Sequence, residues 1–297
     1  MDKNSLKIIS KLKSKFYFDY NIGKLTWFRT GGKAKIFILV ENSEELEIIL
    51  NEIKDENYYV LGSGSNLLIR DSGFNGIVLK LGKGFNIFNI FENKLEVGAS
   101  ILDINLSNFA LKNNFEGFEF LSGIPGSIGG AIKMNAGCFG SETKDILDSV
   151  EIYTSNFEKK IIKRKDINLE YRSSNIQNDQ IITKAKFDIK FGNSINIKEK
   201  MEYIKEKRLL SQPIKYKTSG STFKNPPNLF AAKLIEESGC KGLTFGDAVV
   251  SQKHANFLIN KGNATASDLE NLGKIIIEKV YKKFNVNLNW EVKIIGE

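Results

Sequence analysis

Apolar residues recur with a helical period over residues 42–56, where Leu46, Ile49, Leu50 and Ile53 fall on one face and Asn42 or Ser43 can cap the start. Residues 34–40 and 58–61 read as flanking strands, which predicts a β-α-β unit. Strands are expected again at 67–70 and 77–81, around a turn at 71–76. Residues 100–113 have helical spacing through Leu102, Leu106, Phe109 and Ala110. Strand-like segments then fill 149–191, the clearest at 182–191, followed by a lysine- and glutamate-rich helix over 197–210 that ends before Pro213. A short helix at 229–238 stops at Gly239, and a longer one at 266–284 places Leu269, Leu272, Ile276 and Val280 on its buried side. Residues 288–295 alternate, with Leu288, Trp290, Val292 and Ile294 on one face and Glu291 on the other. With no internal repeat, the pattern predicts a mixed α+β chain in three parts.

Composition narrows the class. Of 297 residues, 41% are hydrophobic and 26% charged, which excludes collagen-like, low-complexity and largely disordered chains. The length suggests two or three domains of roughly 100 residues each. No apolar run approaches the roughly 18 residues of a membrane-spanning helix. The lysine-bearing N-terminus has no continuous apolar stretch, so no secretory signal is expected. Two cysteines, Cys138 and Cys240, cannot build a disulfide framework, and with the single histidine, His254, they cannot make a structural zinc site. These features point to a reduced, cytoplasmic protein without a metal.

The net charge of +8 raises nucleic-acid binding, yet the lysines are dispersed, as in Lys159, Lys160, Lys163 and Lys165, with no arginine-rich block. A solvated lysine face that also attracts small anions such as dinucleotides fits better, and no nucleic-acid or membrane partner is expected. Lys and Arg number 43, but the arginines are only Arg29, Arg70, Arg164, Arg172 and Arg208. An arginine kept against that bias suits a site needing a planar, bidentate donor.

The glycines cluster. Gly62-Ser63-Gly64-Ser65-Asn66 follows a predicted strand and can form a tight turn or an anion-binding nest. It is neither a P-loop nor the dinucleotide fingerprint, because no Gly-Lys-Ser/Thr follows and Leu67 stands where a third glycine belongs. A second cluster runs from Gly123 through Pro125, Gly126, Ser127, Gly129 and Gly130, then Asn135, Ala136 and Gly137. Such density suits backbone lying against a large flat or phosphorylated ligand, and two such loops suit a dinucleotide. A third stretch, from Thr218 through Ser221 to Pro227, is stiffened by Pro213, Pro226 and Pro227. A Ser-His-Asp hydrolase is not expected, because no Gly-x-Ser-x-Gly elbow surrounds Ser221.

Taken together, these stretches resemble the UDP-N-acetylenolpyruvoylglucosamine reductase (MurB) family. The resemblance runs from about Thr26 to the C-terminus. It is carried by Thr26-Trp27-Phe28-Arg29-Thr30-Gly31-Gly32, the two glycine clusters, Glu170-Tyr171-Arg172-Ser173-Ser174, Gly220 to Pro226, and Trp290-Glu291-Val292. It implies a flavin domain of the vanillyl-alcohol-oxidase type in two subdomains, 1–70 and 71–192, and a substrate domain over 193–297. It further implies non-covalent FAD, NADPH as co-substrate, a UDP-sugar substrate reduced at its enolpyruvyl ether, and a role in peptidoglycan precursor synthesis. A monomer is expected.

By that resemblance, Arg172 stabilises developing negative charge, Ser221 donates a proton, and Glu291 is the third catalytic residue. FAD contacts are expected at Arg29, Gly62, Ser63, Gly64, Ser65, Asn66, Gly123, Pro125, Gly126, Ser127, Gly129, Gly130, Asn135, Ala136 and Gly137. Substrate contacts are expected at Tyr171, Lys224 and Asn225, and His254 is expected to be structural or peripheral. Ser173 to Gln180 leaves little room for the tyrosine-bearing loop of long-form members, so the chain resembles the short form. Lys215, Lys217 and Arg208 remain alternatives for the diphosphate. An oxygen-using flavoenzyme of the same fold and a catalytically silent nucleotide-sugar-binding protein are the competing readings.

Overall fold

The structure, a computed structural model, describes residues 7–9 and 11–297. The N-terminal residues read above for a signal, and the start of the segment 1–70, lie partly outside the described residues. The chain divides into two compact units. The first comprises the described part of Met1–Phe18 with Ile36–Ser63 and Gly76–Glu206; the second comprises Asp19–Lys35, Gly64–Asn75 and Lys207–Glu297.

The first unit contains the predicted β-α-β element. The helix is Ser43–Glu52, and the Asn42 side chain accepts the Glu45 N–H at 2.9 Å as its N-cap. Leu46, Ile49, Leu50 and Ile53 are fully buried, against Ile38, Ile77 and Leu79. The strand Phe74–Leu81 lies between Lys33–Val40 and Tyr58–Val60, pairing in parallel with the latter through Tyr58↔Ile77 and Val60↔Leu79. A second, antiparallel sheet of the same unit runs in the order Lys159–Lys163, Leu147–Tyr153, Ile181–Asp188, Lys94–Gly98, Phe88–Phe91. The helix Asp103–Lys112 packs into its core through Leu106 and Ala110.

That helix differs in phase from the sequence pattern. Its buried residues are Asp103, Leu106, Ser107 and Ala110, while Leu102 is exposed at the N-cap and Phe109 is only partly buried, stacked on Phe88 at 4.3 Å. The cause is tertiary. Leu102 forms an isolated β-bridge with Ser127, and the helix begins one residue later.

The second unit has a three-stranded antiparallel sheet, Thr244–Phe245, Ala248–Val250 and Leu258–Asn260, with the helices Ala231–Glu237 and Ala266–Phe284. The long helix buries Leu269, Leu272, Ile276 and Val280 as its stripe predicts. Thr265 and Asp268 form a capping box at its start, and the Asp71 carboxylate accepts the N–H groups of Ala266 and Ser267 at 2.8 and 2.9 Å. Leu67–Ile69 pairs in parallel with Lys293–Ile295. The terminal strand is thus shorter than the alternation suggests. Leu288 and Val292 are buried, but Trp290 is bridged to Phe223 and Glu291 precedes the strand.

Among the described residues no helix is long and apolar enough to cross a membrane.

Candidate functional site

In the first unit Gly62, at the start of the first glycine-rich loop, meets the second loop. A Cβ on Gly62 would lie 2.7 Å from the Ser127 hydroxyl, so glycine is what allows the Gly62 backbone to lie against the second loop. Ser127 is buried just ahead of the short helix Ile128–Lys133. The loop is pinned by main-chain bonds from Ile128 to Ile101 at 2.9 Å, Gly129 to Ala99 at 3.0 Å, and Asp103 to Gly126 at 3.1 Å. Lys80 donates to the Gly62 carbonyl, and burial lowers its pKa. Sequence reasoning missed this lysine, which is one of many in the chain.

Asp103 is a second residue that sequence reasoning missed. It is fully buried, neither carboxyl oxygen has a hydrogen-bond partner, and burial pushes its pKa well up. A Cβ on Gly126 would meet one of its oxygens at 2.3 Å. The available signal was a carboxylate three residues ahead of Leu106 on the buried face.

Asn135, also fully buried, organises the Arg172 segment. Its amide donates to Glu142 at 3.0 Å and to the Glu170 carbonyl at 3.1 Å, and its oxygen accepts the Lys144 N–H at 3.0 Å. Burial raises the Glu142 carboxyl, but hydrogen bonds from Lys144 and Asn135, with the Lys144 and Arg172 charges, outweigh it and hold the group below its ordinary value. Arg172 itself donates to the Gly137 carbonyl at 2.7 Å, and its guanidinium carbon lies 5.0 Å from the Tyr171 ring centre. Arg172 has a left-handed φ of 54° and Asn135 one of 40°. Non-glycine residues rarely adopt that region, and they do so disproportionately at functional sites.

In the second unit the segments that bear Ser221 and Glu291 pair through their main chains. Ser221 forms a β-bridge with Phe257, Thr222 donates to the Asn256 carbonyl at 2.7 Å, and the Asn256 side chain both accepts from Phe223 N–H at 2.9 Å and donates to the Phe223 carbonyl at 2.8 Å. On the other side the Thr222 carbonyl accepts the Glu291 N–H at 2.8 Å, and Lys224 donates to the Asn289 carbonyl at 2.8 Å. The serine stretch is therefore a middle strand in all but regularity, held by main-chain pairing on both edges. Ser221, Lys224 and Glu291 are half-buried.

Asn225 is exposed, and its side chain accepts the Ala231 N–H at 3.0 Å ahead of the helix Ala231–Glu237. Arg29, also in this unit, has a φ of 57° and donates to the Lys24 carbonyl at 2.5 Å. Arg208 bonds Gln212 at 3.0 Å, and Lys217 bonds the Gly262 carbonyl at 3.3 Å. His254 stands edge-on to Phe257 at 4.7 Å, and burial lowers its pKa. The turn it begins supplies Asn256, whose clamp on Phe223 sequence reasoning did not anticipate.

Comparisons with known proteins identify the family. Residues 34–156 match the family model described as FAD binding domain, and residues 212–295 match that of the UDP-N-acetylenolpyruvoylglucosamine reductase C-terminal domain. The chain is 44% identical to the UDP-N-acetylenolpyruvoylglucosamine reductase of Rickettsia typhi over 295 residues, covering 98% of this chain and 99% of the relative. It is 42% identical to that of Orientia tsutsugamushi, with 97% of each covered. The crystal structure of the Thermus caldophilus enzyme superposes with a TM-score of 0.83 at 32% identity, covering 96% of this chain and 99% of that one. The α+β arrangement is therefore an FAD-binding domain joined to a reductase C-terminal domain, and the chain belongs to the UDP-N-acetylenolpyruvoylglucosamine reductase (MurB) family of FAD-dependent oxidoreductases.

Proposed function

We propose that the chain reduces the enolpyruvyl ether of UDP-N-acetylglucosamine to UDP-N-acetylmuramate with NADPH, with Arg172, Ser221 and Glu291 as its catalytic residues. The observation that carries the reading is the main-chain pairing of Thr222 with Glu291, which brings together the two segments that bear Ser221 and Glu291. Residues of the first unit also fit FAD. The Gly62 backbone against the Ser127 hydroxyl gives a face without side-chain bulk for a diphosphate, and Lys80 adds positive charge beside it. In this reading residues 1–70 and 71–192 hold the cofactor and 193–297 the substrate, and the enzyme works as a cytoplasmic monomer.

Held by the Gly62 and Ser127 loops with Lys80 beside them, FAD would supply two-electron hydride chemistry between NADPH and the terminal vinyl carbon of the substrate. Negative charge then develops on the adjoining carboxylate. Arg172 neutralises it, since a guanidinium offers two parallel N–H donors to two oxygens. Its contact with the Gly137 carbonyl fixes the fork's direction in advance. The Ser221 hydroxyl gives its proton to the carbon bearing the ether oxygen, a transfer made feasible by the strong basicity of that carbon. Glu291 assists the carboxylate's enol form or returns a proton to Ser221. Tyr171, Lys224 and Asn225 are proposed to contact the substrate.

Absorption spectroscopy tests the reading. In anaerobic solution NADPH bleaches the flavin band near roughly 450 nm, and the enolpyruvyl UDP-sugar restores it, as a ping-pong reductase requires. A band that NADPH leaves intact would favour an oxygen-using flavoenzyme; a colourless protein that cannot be reconstituted with FAD would remove the function.

A further inference from the structure

The peptide of Glu291 is held at both ends. Its N–H donates to the Thr222 carbonyl at 2.8 Å, and its carbonyl accepts the side-chain amide of Asn66 at 3.1 Å. Asn66 is the last residue of the first glycine-rich loop, and its own carbonyl accepts the Lys293 N–H at 3.1 Å. Immediately after it, Leu67–Ile69 pairs in parallel with Lys293–Ile295 through Leu67↔Lys293, Leu68↔Ile294 and Ile69↔Ile295. The side-chain bond therefore extends the parallel ladder backwards past Lys293, over the irregular residues where no strand is formed. Leu68 at the ladder's centre is fully buried, so the Asn66 backbone is fixed by its neighbour's packing.

We infer that Asn66 is a positioning residue for Glu291, its amide fixing the Glu291 backbone against the serine stretch that carries Ser221. Asparagine suits the position because its amide reaches from the turn before Leu67–Ile69 to the Glu291 carbonyl. An aspartate there is an acceptor only and cannot make this bond. Removing the amide takes away the bond to the Glu291 carbonyl and loosens the backbone from which the carboxylate extends. A displacement of about 1 Å at a reacting group slows the step on the order of 100-fold. The inference rests on the proposed role of Glu291, and it is separable from the contacts Asn66 has been expected to make with FAD.

A double-mutant cycle on the FAD-loaded enzyme tests it, with N66A, N66D, Glu291→Gln and the combination Asn66→Ala/Glu291→Gln. The FAD dissociation constant is measured alongside stopped-flow rates of flavin reduction by NADPH and of reoxidation by the enolpyruvyl UDP-sugar. Expected are reoxidation rates about tenfold or more lower in both Asn66 variants at saturating FAD, beyond whatever change the lost FAD contact makes to NADPH-driven reduction. In the Glu291→Gln background Asn66→Ala should then slow reoxidation no further, because both changes act through one group. Multiplicative losses would overturn the positioning role while leaving Glu291 catalytic. A variant that loses FAD affinity yet reoxidises normally once saturated would reduce Asn66 to a cofactor ligand. A Glu291→Gln enzyme with normal reoxidation would overturn this inference together with the proposed role of Glu291.

Discussion

The Glu291 N–H donates to the Thr222 carbonyl at 2.8 Å, so Ser221 and Glu291, far apart in sequence, sit on adjoining extended segments of one unit. Such pairing fixes the Glu291 backbone against the serine stretch, so that its side chain extends from a rigid base. A site whose groups must act within one transition state benefits from that rigidity.

Arg172 is expected to resist its conservative replacement. Arg172→Lys keeps the charge but loses the planar bidentate fork. Reoxidation of the reduced enzyme by the enolpyruvyl UDP-sugar should fall on the order of 100-fold, with flavin reduction by NADPH little changed. Near-parental turnover in the lysine variant would refute a bidentate role.

How much of this was legible beforehand varies with the range of the interactions. The helix Ala266–Phe284 could be read from the stripe Leu269, Leu272, Ile276 and Val280, because its period is local. The phase of Asp103–Lys112 could not, since the bridge between Leu102 and Ser127 decides where that helix begins. Arg172, Ser221 and Glu291 stood out as candidates only through their motifs. That Asn66 holds the Glu291 carbonyl, and Asn256 the Phe223 peptide, depends on pairings across long stretches of chain that no local pattern encodes.

Gly62 should be intolerant of a side chain, for a reason that can be relieved. In Gly62→Ala the new Cβ meets the Ser127 hydroxyl at 2.7 Å, and the strain should lower stability by about 1–3 kcal/mol. Adding Ser127→Ala removes the oxygen and should restore much of the loss, as followed by denaturant unfolding of the FAD-free protein. If the second change deepens the loss instead, the contact is not what requires glycine.

Asp148 links the antiparallel strands of the first unit. A hydrogen bond from Lys94 is the main cause holding its carboxyl at about 2, against an ordinary value of 3.8, with Ser149 and Lys163 assisting. Because the folded value is depressed, the stabilisation is complete above the ordinary value and is lost as pH falls through about 2. Lys94→Met should cost about 1 kcal/mol near neutrality, after solvent screening of the half-exposed lysine, and little at the acid end. An equal deficit at every pH would show that packing, not charge, is responsible.

Asp103 works in the opposite sense. Burial raises its folded value, so its contribution is fully favourable below the ordinary carboxylate range and is lost as pH rises towards the raised value. Asp103→Asn should therefore stabilise the protein near neutrality by on the order of 1 kcal/mol, raising the melting midpoint by about 2–4 °C. The advantage should vanish in acid. A variant that melts lower than the parent at neutral pH would mean that the carboxylate has a partner when ionised.

The most direct test of the central claim is the pair of half-reactions in Ser221→Ala, followed by stopped-flow absorbance with no oxygen present. Flavin reduction by NADPH should proceed at near the parental rate, because the hydroxyl takes no part in it. Reoxidation by the enolpyruvyl UDP-sugar should slow by about 100-fold or more, the range of a lost general acid. Equal slowing of both half-reactions, or neither, would contradict the assignment of Ser221 as the proton donor.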